Sequence, residues 1–251
     1  MGVAMASKNS EGVFDFLKTI IYAVAIALVV RTVAFEPFNI PSKSMLPTLE
    51  VGDYLFVSKY SYGYSRHSLP FSIPLIPGRI LATEPERGDV AVFKTPSDNR
   101  TDFIKRIIGL PGDKIQMKQG RLNINGNLVP RKRIENYTET LDHGRSRSVT
   151  RYEETLPNGR KLPTLEVQLD QGDLDNTRIY IVPKNHYFVM GDNRDNSQDS
   201  RVISQVGFVP RENLVGRAEI LFFSTNGSSV WWNPISWWTA LRGNRVFSLI
   251  K

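Results

Sequence analysis

Hydrophobic and polar positions divide the chain into one long apolar run near the N-terminus and many short alternating runs after it. Residues 19–35 (TIIYAVAIALVVRTVAF) contain a single charge, Arg31, and the pair Glu36-Pro37 ends the run. At about 1.5 Å per residue the run extends about 25 Å, close to the roughly 30 Å of a bilayer core. With the apolar residues just before it, the run predicts a membrane-spanning helix over residues 14–35.

The same run also fits the apolar core of a secretory signal peptide that is removed after export. The triplet Thr32-Val33-Ala34 resembles a small-residue cleavage site. Length favours the membrane anchor, and the cleaved signal remains the alternative. Positive charges nearly balance on the two sides of the run. Their count therefore gives little indication of the side of the membrane on which the preceding residues 1–13 lie.

After Pro37 the pattern changes to short β-like runs, several of them introduced by Gly-Asp pairs that are typical of turns. Asn125-Gly126 separates two such runs and indicates a tight hairpin, because both residues tolerate positive φ. No long helical periodicity appears here, so we expect an antiparallel, mainly β protein on one helical anchor. The clearest predicted strands are Tyr54–Lys59, Asp89–Lys94, Phe103–Ile108, Leu165–Leu169, Arg178–Val182, Tyr187–Met190 and Val215–Phe223.

Composition shifts suggest how the β region is divided. Residues 60–86 are rich in Tyr, Ser, Pro and Gly and predict a loop or an extended ribbon. Residues 118–183 are more polar and charged and predict a smaller inserted β domain. The main β domain then comprises residues 36–117 and 184–230.

The C-terminal segment, residues 231–251, contains all four tryptophans of the chain. Indole rings favour the lipid–water interface, and the nearby arginines favour anionic headgroups. Tryptophan is also a common core residue, so the segment either contacts the membrane or packs on the β core.

Composition excludes several kinds of chemistry. The chain has no cysteine, which rules out disulfides, thiolate metal sites and a cysteine nucleophile. Its three histidines, His67, His143 and His186, lack metal-ligand spacing, so no metal site or cofactor is expected. A net charge of +7 favours an anionic partner surface. No nucleic-acid-binding signature is present, so a lipid bilayer is the expected surface and nucleic acid is not expected as a partner.

Three segments concentrate residues that can carry chemistry: residues 41–49 (PSKSMLPTL), 105–113 (KRIIGLPGD) and 191–201 (GDNRDNSQDSR). A serine nucleophile needs a base. His186 could serve as that base, although a single histidine among strands is more often structural.

Lysine can act as a base only when burial lowers its pKa from about 10.4. In a strand, Lys105 shares a face with Phe103 and Ile107, which would disfavour its ammonium form. A lysine that extends to the surface is the competing interpretation. Arg106 faces the other way and cannot deprotonate, so it is excluded as a base. The third segment lacks the glycine that a calcium loop of the EF-hand type requires.

These segments resemble, in order, the sequence boxes of bacterial type I signal peptidases, together with residues 87–94 (RGDVAVFK) and the N-terminal span. The resemblance covers the anchor and essentially the whole β region. It implies a membrane-anchored serine endopeptidase that removes signal peptides from exported preproteins after small residues at −1 and −3. It also implies a cytoplasmic N-terminal segment and a catalytic domain on the extracytoplasmic side of the bacterial inner membrane.

The resemblance assigns roles to individual residues. Ser44 corresponds to the nucleophile, Lys105 to the general base, Ser42 to an oxyanion-hole hydroxyl and Ser197 to the serine that orients the lysine. Lys43 replaces the glycine or glutamate often found between the two serines. Asp199 and Arg201 correspond to a supporting ion pair, and the positions near the substrate pockets are Phe38, Ile40, Pro41, Met45, Leu49 and Ile104.

Two alternatives need no peptidase of this kind. One is a non-enzymatic β domain tethered to the membrane, which would tolerate loss of Ser44 and Lys105. The other is a self-cleaving regulator of a related fold, which would cut mainly its own N-terminal part. That second class lacks a membrane anchor and carries a DNA-binding region instead.

Overall fold

A computed structural model describes residues 7–141, 145–168, 171–228 and 232–250. The structure confirms a mainly antiparallel β protein behind one N-terminal apolar helix. In chain order its helices and strands are α1 Ser7–Val33, β1 Phe35–Asn39, β2 Asp53–Ser58, β3 Tyr64–Ser65, β4 Arg79–Ile80, β5 Val90–Lys94, β6 Asp102–Gly109, β7 Lys114–Lys118, β8 Arg121–Ile124, β9 Asn127–Leu128, β10 Arg131–Arg133, β11 Tyr137–Thr140, β12 Ser146–Thr155, β13 Lys161–Glu166, β14 Tyr180–Ile181, β15 His186–Met190, β16 Val209–Pro210, β17 Leu214–Ser224 and α2 Pro234–Ala240.

Helix α1 is long and apolar enough to cross a bilayer. Its stretch Val13–Val33 has 21 residues, an 18-residue window of it has a mean hydropathy of 2.2, and none of that window is buried against the rest of the protein. The helix ends at Val33, two residues before the predicted end. Phe35 pairs with Ser58 and is the first residue of β1. In addition, Pro37 disfavours a helical conformation at the preceding residue, Glu36.

Seven strands form the main sheet, in the order β1-β2-β17-β5-β6-β15-β16. All of its neighbouring strands are antiparallel. Both faces are covered, because alternate residues of β5 enter different core clusters: Val90 and Val92 enter one, Ala91 and Phe93 the other. Strand β6 is central in this sheet, so the side chains on both of its faces are candidates for burial.

The remaining strands form smaller sheets. Strands β10, β12 and β11 pair in that order, with β13 on β12, and this four-stranded unit is called the small sheet below. Strands β14, β7, β8 and β9 form another, whose hairpin turns at Asn125 (φ 55°) and Gly126 (φ 88°) as the sequence predicts. Residues 60–86 contain only the short pair β3–β4 and 3₁₀ turns, which agrees with the predicted ribbon. The boundaries of an insertion at 118–183 stay a prediction, since β7 itself extends from 114 to 118.

The C-terminal segment forms α2, whose first turn is capped by Asn233 Oδ1 accepting from the Ile235 amide. Trp232 and Trp238 are 69% and 80% exposed. Neither ring is therefore buried in the β core. Trp231 lies outside the described residues.

Candidate active site

Ser44 lies in the turn that follows β1 and is buried. The turn is fixed from within by a hydrogen bond from the Leu49 amide to the Met45 carbonyl, at 2.9 Å. Met45 and Leu49 are themselves buried in the core cluster beneath it. Apolar residues one and five positions after Ser44 thus hold the hydroxyl at the edge of the core.

Lys105 projects from the middle of β6 and is 4% exposed. Its Nζ donates to Ser44 Oγ at 2.6 Å and to the Ile104 carbonyl at 3.0 Å, and lies 5.3 Å from the centre of the Phe103 ring. Burial lowers the pKa of Lys105 to about 8, although the charges of Asp199 and Asp192 act in the opposite direction. An amine with this pKa can take a proton from the adjacent hydroxyl near neutral pH.

The loop after β15 holds the backbone of the serine turn. The Asn193 amide donates to the Ser44 carbonyl, and its side-chain Nδ2 donates to the Lys43 carbonyl, each at 3.1 Å. Gly191 lies so close that an added Cβ would come within 2.5 Å of the Ser44 carbonyl oxygen and would also collide with the Ser197 side chain. Only glycine fits between these two segments.

Asp199 and Arg201 form a buried ion pair under this loop. Arg201 Nε and Nη2 each donate to the carboxylate at 2.9 Å, and the Gly191 amide donates to it at 3.0 Å. Burial alone would raise the pKa of Asp199, but the guanidinium and these hydrogen bonds hold it below its usual value. The ionised carboxylate therefore fixes Gly191 against the serine turn.

Ser197 lines the same cleft as Ser44 and Lys105. Among the described residues, its hydroxyl has no partner in regular hydrogen-bond geometry. It is close enough to Asp199 to help lower the pKa of that carboxyl. Lys105 Nζ donates to Ser44 and to the Ile104 carbonyl, so the hydrogen bond from Ser197 to Lys105 that the resemblance implies stays a prediction.

A second buried ion pair lies on the other face of β6, and sequence reasoning did not find it. Arg106 Nε and Nη2 donate to the two oxygens of Asp192 at 2.8 and 2.6 Å, and Nη1 donates to the Gly88 carbonyl at 2.7 Å. Thr48 Oγ1 donates to the same carboxylate. The sequence offered one indication of this pair: Arg106 is a charged residue in a strand whose two faces are both expected to be buried.

Lys105 and the three serines Ser42, Ser44 and Ser197 line a cleft of about 530 Å³. Of the predicted pocket residues, Pro41 and Ile104 line this cleft, whereas Phe38 is partly buried against the core cluster that contains Met45 and Leu49. Ile40, Met45 and Leu49 lie beneath it in the core instead. Ser42 is exposed at the rim of the turn, with its Oγ 3.3 Å from Ser44 Oγ.

The histidines offer no competing base within the described residues, which exclude His143. His67 is buried with its Nδ1 3.0 Å from Ser72 Oγ, and burial, followed by nearby positive charges, lowers its pKa to about 4. His186 begins β15 and bonds through Nδ1 to the Lys184 carbonyl. Neither belongs to the described lining of the cleft.

That the reaction needs no metal stays a prediction.

Comparison with known proteins places this geometry in a family context. Residues 13–223 match the sequence model of a family described as signal peptidase, peptidase S26. The signal peptidase I of Rickettsia canadensis (strain McKiel) is 42% identical over 248 residues, which cover 92% of this chain and 91% of that relative. That of Rickettsia conorii (strain Malish 7) is 41% identical over 259 residues, covering 96% and 92%. A crystal structure of a signal peptidase I from Enterococcus faecalis V583 aligns with 24% identity and a TM-score of 0.31 over 54% of this chain and 97% of that one.

Proposed function

The chain belongs to the signal peptidase family, peptidase S26, and we propose that it removes signal peptides with Ser44 as nucleophile and Lys105 as general base. The observation that supports this most directly is the 2.6 Å contact between Lys105 Nζ and Ser44 Oγ in a buried site. A hydrogen bond of that length is the arrangement that activation of a serine by an adjacent base requires.

The reaction follows from these positions. The neutral Lys105 amine takes the Ser44 proton as Oγ attacks the carbonyl carbon of the substrate, and the carbonyl oxygen becomes an oxyanion. The Ser44 amide and the Ser42 hydroxyl donate to that oxyanion, and each such donor contributes about 3–4 kcal/mol to catalysis in well-formed sites. The ammonium of Lys105 then protonates the leaving amine as the C–N bond breaks. Water, deprotonated by Lys105, hydrolyses the acyl-enzyme and regenerates Ser44.

The cleft also supports a choice of substrate. Pro41 and Ile104 place apolar walls beside Ser44. Small side chains at −1 and −3 would fit such walls, whereas large ones would collide with them.

The protein is membrane-anchored, and the anchor explains how substrate reaches the cleft. Only eleven positions separate Val33, the end of α1, from Ser44, and β1 occupies five of them. A signal peptide held in the same bilayer is thereby confined near the nucleophile, which raises its effective concentration. We propose that the β region faces the extracytoplasmic side of a bacterial inner membrane and that residues 1–13 face the cytoplasm.

Cleavage of a synthetic signal peptide with Ala at −1 and −3 tests the proposal. The full chain in detergent is expected to cut this peptide in trans, and both Ser44→Ala and Lys105→Ala are expected to abolish cutting while remaining folded. His186→Ala serves as a matched control and should retain activity. Cleavage that survives in Lys105→Ala would reveal another base. Cutting of the protein's own N-terminal part alone would favour a self-cleaving regulator, and no cutting at all would favour a binding domain.

A further inference from the structure

Both sides of the nucleophile are attached to the small sheet. Lys43, directly before Ser44, places its Nζ 3.2 Å from Glu139 Oε1 on β11 and donates to the Thr140 carbonyl at 3.1 Å. Leu46, two positions after Ser44, is buried against Val149 and Leu165. Strands that are distant in sequence from the catalytic residues therefore contact the serine turn directly.

Glu139 is a fixed point of attachment. Glu139 is 2% exposed. Arg147, on the neighbouring strand β12, places its Nε and Nη2 each 2.7 Å from the Glu139 carboxylate. A buried carboxylate keeps its position when it is paired in this way, because leaving it unpaired is strongly unfavourable. Arg147 thus holds Glu139 in place whether or not Lys43 is bound to it.

The backbone of Lys43 and Ser44 is held from the opposite side by Asn193, as described above. The two supports are also connected to each other, because the Leu165 amide on β13 donates to the Asp192 carbonyl at 2.9 Å. The serine turn is therefore fixed between the loop after β15 and the small sheet. The side chain of Lys43 is its ionic link to that sheet.

We propose that the small sheet positions the nucleophile and that Lys43 is the positioning residue through which it acts. This inference rests on the proposed function of Ser44. Attack by a serine tolerates little displacement, and a shift of about 1 Å can reduce a rate about 100-fold. The side chain of Lys43 is one-third exposed, so its ion pair contributes little to overall stability. Its loss should therefore affect catalysis much more than folding.

Kinetics of Lys43→Met, Lys43→Arg and Glu139→Gln, measured on the full chain with the synthetic signal peptide, test this. Lys161→Met is a matched control, because Lys161 on β13 forms an exposed ion pair with Glu153 and neither residue belongs to the described lining of the cleft. We expect Lys43→Met and Glu139→Gln to lower kcat about tenfold with KM within about twofold, a loss of transition-state positioning. Lys43→Arg should recover most of the rate, and Lys161→Met should match wild type. The pH midpoint of Lys43→Met should equal that of wild type, because Lys105 remains buried.

Hydrogen exchange of the segment 42–49 supplies a measurement that does not depend on cleavage. Exchange there should be faster in Lys43→Met than in wild type or Lys161→Met. Wild-type kcat or wild-type exchange in Lys43→Met would overturn the inference, as would an equal loss of rate in Lys161→Met. If the wild-type chain cleaves nothing but exchange still changes as expected, the proposed function fails and the tether of the serine turn stands.

Discussion

Lys105 and Arg106 are adjacent in β6, yet their charged groups lie on opposite faces of the main sheet. Lys105 meets the Ser44 hydroxyl, while Arg106 is bound by Asp192. The two cations differ in what burial does to them. Guanidinium keeps its proton and needs a carboxylate, whereas an ammonium without one loses its proton more easily. One strand therefore supplies both a base for the reaction and an internal support for the site.

The pH dependence of cleavage should reflect the buried lysine. The base acts when neutral, so activity is expected above the pKa of Lys105, about 8, and should be lost as the pH falls through that value. The measurement is kcat/KM for the synthetic signal peptide from about pH 6 to about pH 10, where an unperturbed lysine would still be mostly protonated. Constant unfolding temperature over the acid half of this range would serve as the control. A rate that does not change between pH 6 and 9 would contradict the assignment of Lys105 as base.

Removing the lysine should stabilise the protein while it abolishes activity. The pKa of Lys105 is lower in the folded chain than its ordinary 10.5, so folding opposes protonation, and stability declines as the pH falls from above 10.5 to below 8. A shift from 10.5 to about 8 corresponds to at most about 3 kcal/mol. Lys105→Met keeps a similar volume, so it should unfold at higher temperature than wild type at pH 6, and the difference should vanish near pH 11. A lower unfolding temperature at pH 6 would show that the ammonium is well accommodated.

The roles of the site residues follow from the resemblance, whereas local pattern alone leaves Lys105 as either a base or a surface lysine. Strand alternation alone places Lys105 and Arg106 on opposite faces. The partners of the buried charges cannot be predicted in this way. Asp192 lies 86 positions from Arg106, and Glu139 lies 96 positions from Lys43. Which carboxylate meets which cation depends on how the sheets pack, and no local pattern contains that information.

The packing of the strands also decides why some predicted pocket residues lie in the core. The resemblance assigns Ile40, Met45 and Leu49 to the substrate pockets, but an apolar side chain serves equally well under a pocket or along its wall. The structure separates the two roles, because only the position of the neighbouring strands decides which side chains are covered. Pro41 and Ile104 remain at the surface of the cleft.

Intrinsic fluorescence should report contact of the C-terminal segment with the membrane. All four tryptophans lie between residues 231 and 238, so the tryptophan emission of the protein comes from this segment alone. Trp232 and Trp238 are largely exposed, and indole favours the headgroup region. We expect lipids brominated near the headgroup to quench the emission of the reconstituted full chain, and Trp238→Phe to reduce the quenched fraction. Equal emission in brominated and ordinary lipid would place the segment in water.

The close approach of Gly191 to the serine turn predicts a selective loss of activity. An added methyl group would come within 2.5 Å of the Ser44 carbonyl, so Gly191→Ala should push the turn away from Lys105. We expect kcat to fall about 100-fold or more, since small displacements of a nucleophile have effects of that size. Stability should fall by about 1–3 kcal/mol, as is usual for overpacking, so the variant should remain folded at moderate temperature. Gly243→Ala is the matched control, because a Cβ there meets no atom within 4 Å. Activity of Gly191→Ala close to that of Gly243→Ala would show that the turn can move without cost and that Ser44 is not held by this contact.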